Sequence, residues 1–81
     1  MKLKGYAFVK ESSLPPSFEV YAFSTKEEAV DSFLKKVRHY CKENHLTDKE
    51  IVDVLDESLD YLEWTDEEDR PDLHLFVTEL D

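Results

Sequence analysis

Residues 17–34 read Ser17-Phe18-Glu19-Val20-Tyr21-Ala22-Phe23-Ser24-Thr25-Lys26-Glu27-Glu28-Ala29-Val30-Asp31-Ser32-Phe33-Leu34, and the apolar repeat changes midway through them. Up to Phe23 the side chains alternate, Phe18, Val20 and Ala22 against Glu19, Tyr21 and Phe23, which is the two-residue period of a strand. Beyond it, Ala29, Val30, Phe33, Leu34, Val37, Tyr40 and Cys41 recur at helical spacing, with Asp31, Lys35, Arg38 and Lys42 on the opposite face. Where the two periods meet, Ser24 with Glu27 and Thr25 with Glu28 form overlapping capping boxes, so a helix starts there.

Towards the N-terminus, Lys2 to Lys10 alternates in the same way, Leu3, Gly5, Ala7 and Val9 against Lys4, Tyr6, Phe8 and Lys10. The intervening Glu11-Ser12-Ser13-Leu14-Pro15-Pro16 is rich in turn formers, and its prolines cannot donate to a ladder, so the two strands are expected to form a hairpin across it. Pairing Lys10 with Ser17 sets Tyr6 opposite Tyr21 and Ala7 opposite Val20. Towards the C-terminus, Asn44 and His45 interrupt the helix, and Thr47-Asp48-Lys49-Glu50 is a further capping box that opens a second helix near Asp48. Its apolar stripe is Ile51, Val52, Leu55, Leu59 and Leu62, and it is expected to stop near Trp64, before the charged stretch that ends in Pro71. The short link folds this helix back along the first. Leu73, Leu75 and Val77 then alternate with His74, Phe76 and Thr78 as a third strand.

The expected fold is α+β, a single domain over residues 1–81 in the order ββααβ. A three-stranded, mostly antiparallel sheet in the order 1-2-3 carries an antiparallel helix pair on one face. Of the two sheet faces, the aliphatic one with small Gly5, Ala7 and Ala22 is expected to meet the helices. That leaves the rings of Tyr6, Phe8, Tyr21, Phe23 and Phe76 as an outward aromatic face; the alternative buries the rings, which gain most from burial.

Charge narrows the function. Twenty Asp and Glu against ten Lys and Arg give a net charge of −10. Such a surface repels phosphate backbones and anionic lipid, so neither nucleic acid nor a membrane is expected as a direct partner. A single Cys41, and no secretion-type apolar run after Met1-Lys2-Leu3-Lys4-Gly5, lead to the expectation of a cytoplasmic protein. The charge is also uneven: residues 1–43 sum to +2 and residues 44–81 to −12. At about 100° per residue, Asp53, Asp56, Glu57, Asp60 and Glu63 share one arc of the second helix, opposite its apolar stripe. Like charges at that spacing weaken a helix, and solubility does not need them clustered.

Their Cβ separation of about 5–6 Å roughly approaches the phosphate repeat of a nucleic-acid strand, about 6–7 Å. The expected partner is therefore a basic protein that binds or cuts nucleic acid. The expected function is a small acidic inhibitor that mimics nucleic acid, of the phage anti-defence kind (anti-CRISPR or anti-restriction) or a nuclease antidote, by analogy only. Tyr61 and Trp64 would be its ring anchors, rimmed by the carboxylates above and by Asp66, Glu67, Glu68 and Asp69. The alternative is a homodimeric accessory or structural protein joined through the aromatic face, Tyr6, Phe8, Tyr21, Phe23 and Phe76, or through an exposed edge strand. No metal or cofactor is expected: His39 and Cys41 point apart on a helix, Pro71 stands where a calcium loop needs Gly, and Gly5 is the sole glycine. No nucleophile–base grouping stands out, so the chain reads as a binder rather than an enzyme.

Overall fold

The computed structural model describes residues 5–13, 16–66 and 72–80. Along the chain lie β1 (Gly5–Ser13), β2 (Pro16–Phe23), α1 (Lys26–Glu43), α2 (Asp48–Tyr61), β3 (Glu63–Thr65) and β4 (His74–Leu80). The fold is α+β as expected, but the sheet has four strands rather than three, in the order β2-β1-β4-β3, with every neighbouring pair antiparallel.

The difference starts at the end of α2. Helix α2 stops at Tyr61, short of Trp64, because Leu62 takes the left-handed conformation, φ 54°, while its N–H donates to the Ser58 carbonyl at 2.7 Å. The chain then turns into the three-residue β3, which adds one reversal of direction. β4 therefore runs antiparallel to β1 and pairs with it at the centre of the sheet, where an uninterrupted path would have made it parallel.

Both helix starts follow their caps. Thr25 accepts the Glu28 N–H at 3.2 Å to begin α1. Thr47 and Glu50 form the full reciprocal box for α2: Glu50 Oε1 accepts the Thr47 N–H at 2.9 Å, and Thr47 Oγ1 accepts the Glu50 N–H at 3.3 Å. That backbone donor, and then the Thr47 hydroxyl, hold the Glu50 carboxyl below its ordinary value. A group whose pKa is lowered by folding stabilises fully above its unfolded value and loses that contribution as pH falls through the folded one. The stability gap between the wild type and Glu50→Ala, measured by urea titration, is therefore expected to be constant near neutrality and to close as pH drops below the ordinary value of 4.5.

At the other end of α1 the His45 N–H donates to the Lys42 carbonyl at 3.0 Å and the Leu46 N–H to that of Cys41 at 3.1 Å, which is the Schellman pattern. Its left-handed position, normally glycine, is His45 at φ 62°. Since a side chain there costs about 1–2 kcal/mol and glycine loses about 0.4–1 kcal/mol through the unfolded state, His45→Gly is expected to stabilise the fold by about 0.5–1 kcal/mol. A denaturation midpoint that falls instead would contradict this.

The hairpin ladder continues from Tyr6↔Phe23 to Ser13↔Pro16, two residues out of step with the Lys10–Ser17 pairing, and Lys10 faces Glu19. An even shift leaves each side chain on its own face. Proline is tolerated at the first residue of an edge strand, so Pro16 opens β2 instead of ending the ladder earlier. Positions 1–4, 14, 15, 67–71 and 81 lie outside the described residues, and with them Leu3 and Glu67, Glu68 and Asp69.

The face assignment is reversed for β1 and β2 but not for β4, whose Leu75 and Val77 lie on the helix side and Phe76 on the other. Phe8 is buried against Phe33, Val37 and Tyr40 of α1, with Ile51, Leu73 and Leu75 completing the core. Because Phe8 lies opposite Tyr21 and Val77, and Tyr6 opposite Phe23, those rings share the helix-covered side. Val9 pairs with Val20 and Phe76, so Gly5, Ala7, Val9, Val20, Ala22 and Phe76 form the outer side. The rings win the helix side because a large ring gains far more from burial than a methyl group. Gly5 is small for a local reason: a Cβ there would stand 2.6 Å from the Phe23 carbonyl oxygen across the ladder. Helix α1 rests on β1, β4 and β2, while α2 packs on α1 and β3.

Candidate functional site

Helix α2 is held by one edge. Ile51 and Ser58 are buried, Val54 and Leu55 are half-buried against the core and Leu62 is half-buried, whereas Val52 and Leu59 of the expected stripe are exposed. The buried arc is thus turned towards Ser58 and Val54, because α2 packs sideways on α1 and β3 instead of lying over the sheet centre. This turn leaves the far side unchanged: Asp53, Asp56, Glu57 and Asp60 are all exposed. No ion pair reaches these four carboxylates among the described residues; Lys35 pairs with Asp31 at 3.0 Å, and Lys10 with Glu19 at 3.3 Å. Arg38 and Lys42 line a shallow groove of about 250 Å³ with Asp48, Ile51, Val52 and Leu55, on the flank of α2 beside the ridge.

The other expected contact residues divide. Tyr61 is 71% exposed at the end of the ridge. With Glu57 it borders a cleft of about 380 Å³ between α2 and β3, whose wall includes Trp64 and Ser58. Trp64 is not a free ring: it stacks on Tyr40 with centroids 5.9 Å apart and planes at 10°, half-buried in the core. Glu63 leaves the helical arc altogether, since it belongs to β3, where its carboxylate lies 3.3 Å from His74 Nε2. On its other side His74 Nδ1 is 2.9 Å from Glu11 Oε1, so one imidazole ties three strands together.

Asp66 also departs from the expected rim. It is 1% exposed, accepts from Asn44 Nδ2 at 3.1 Å, and its N–H donates to the Leu73 carbonyl at 3.1 Å. It therefore pins the β3–β4 connection to the end of α1, a structural task that sequence periodicity cannot separate from a solvated charge. Burial, and then the Asp66 charge, push the Cys41 thiol up, which suits an inert core cysteine.

On the sheet, Tyr6, Phe8, Tyr21 and Phe23 face α1, with Phe8 stacked on Tyr21 at 5.7 Å and edge-on to Phe33 at 6.1 Å. Helix α1 covers Phe8, while Tyr21 stays 42% exposed, and Phe8, Tyr21 and Phe23 border a groove of about 440 Å³ with Ser32, Lys35, Lys36 and His39 of α1. Phe76, by contrast, lies on the outer side beside Val9. Sequence reading missed the exposed Phe18 and Val20 as surface residues, because alternation shows that two sets face opposite ways and not which set is covered.

Among the described residues no helix is long and apolar enough to cross a membrane, and no group of three or more His, Cys, Asp and Glu is placed to hold a metal ion. Compared with protein-family models, curated proteins and solved structures, the chain matches none.

Proposed function

We propose that this chain is a small acidic binding protein, not an enzyme, that presents the outer side of α2 to a basic, nucleic-acid-handling protein and blocks it. The setting that fits is an inhibitor of the phage anti-defence type, directed at CRISPR or restriction machinery, or an antidote to a nuclease. The observation that supports this most is the row Asp53, Asp56, Glu57 and Asp60, exposed along one helix face with no cationic partner among the described residues. Tyr61, beside it, is the ring available to anchor a contact. The unpaired row keeps its field outward, and such a field speeds encounter with a cationic groove more than it deepens final affinity.

The test is capture from a cell lysate on the immobilised protein, elution by a salt step, and identification by mass spectrometry. Nucleic-acid-binding proteins should be enriched in the salt eluate, and the enrichment should vanish with Asp53→Asn, Asp56→Asn and Asp60→Asn combined. Equal capture by the two forms would overturn the proposal.

A further inference from the structure

At the opposite edge of the sheet from this ridge, β2 has no outer neighbour among the described residues, and we infer that it is a self-association edge on which a second copy of this chain pairs antiparallel, centred on Val20. Sheet edges of this kind are normally protected by lysine, a bulge, an internal proline or a covering element. Pro16–Phe23 has none of these among the described residues: its ladder to β1 is unbroken from Pro16 to Phe23, and Pro16 is only its first residue. Its single charge, Glu19, is taken up within the chain by Lys10 at 3.3 Å and the Tyr21 hydroxyl at 2.9 Å. Phe18 and Val20 are 67% and 50% exposed.

The strand's own sequence selects the register. In a two-fold antiparallel pair that continues the sheet, directly opposed residues share a face, so only registers joining residues of like parity are allowed. Centring on Glu19 would oppose two carboxylates, which is destabilising. Centring on Tyr21 would set Glu19 against the second copy's Phe23. Centring on Val20 sets Val20 on Val20, Phe18 on the second copy's Ala22 and Glu19 on the second copy's Tyr21, so a large ring meets a methyl group and each carboxylate meets a hydroxyl. This register also pairs the whole run from Ser17 to Phe23.

The net charge of −10 does not oppose it. The acidic α2 packs at β3, three strand spacings from β2, about 14 Å, which exceeds the screening length of about 8 Å at physiological salt. Pairing through β2 places the two ridges at the far ends of an eight-stranded sheet, both still open to a partner.

Sedimentation equilibrium at about 0.1 mM, where a micromolar dimer is mostly formed, tests this together with hydrogen exchange. The wild type should sediment at twice 9.6 kDa, with the outward amides of β2 protected. Val20→Lys should sediment at 9.6 kDa and lose that protection while keeping its circular dichroism, and Phe18→Lys serves as a second edge variant should Val20→Lys unfold. Phe76→Lys, on the outer face but away from the edge, should stay dimeric. A monomeric wild type, or a dimer broken by Phe76→Lys and not by the edge variants, would overturn the inference.

Discussion

Replacing Phe33 with alanine is expected to remove about 3–5 kcal/mol of stability, the largest single loss in the molecule. Phe33 is 0% exposed and stands between α1 and the sheet, edge-on to Phe8 at 6.1 Å. Truncating it forfeits the transfer of a ring from water and leaves a cavity that the paired strands cannot collapse to fill. A small domain has roughly 5–15 kcal/mol in total, so a large part of its stability would go. In a domain of this size the melting temperature should drop by about 15–30 °C. Calorimetry checks it; a loss under about 1 kcal/mol would mean that α1 does not seat on the ring side of the sheet.

The second large effect is on binding. Asp53→Asn, Asp56→Asn and Asp60→Asn together should weaken capture of a basic partner about 100-fold, near 1 kcal/mol for each charge. Affinity should also become much less sensitive to salt between about 50 and about 500 mM. The same variant should be slightly more stable than the wild type, because like charges three and four residues apart on α2 repel by a few tenths of a kcal/mol. A structural role for the row would make stability and binding fall together, and titration calorimetry beside a urea melt separates the two outcomes.

Much of the fold was legible because it is written locally. Thr25 and Thr47 carry their own N-cap chemistry, and the change of apolar period at Phe23 marks where strand gives way to helix. What was not legible depends on contacts between elements. Glu63-Trp64-Thr65 is too short to show alternation, and Leu62, not glycine, makes the left-handed turn into it. Missing that strand reversed the direction of β4 and with it the strand order. The phase of β4 against β1 cannot be read from either strand alone: pairing puts Leu75 and Val77 with Phe8, and Phe76 with Val9. The carboxylate row was readable because a helix face is a local property. Trp64, Glu63 and Asp66 were misplaced because their roles depend on β3 and on Asn44, twenty-two positions before Asp66 in the chain.

The most direct measurement of the central claim is competition between nucleic acid and this protein for the same surface. A basic protein captured on the immobilised chain at low salt is challenged with a short DNA or RNA duplex at fixed ionic strength, and the bound fraction is followed by surface plasmon resonance. If the row on α2 occupies a groove built for phosphates, the duplex prevents rebinding and the captured protein leaves the surface as duplex concentration rises. If the captured protein binds the duplex and stays in place at saturation, the row does not stand in for nucleic acid.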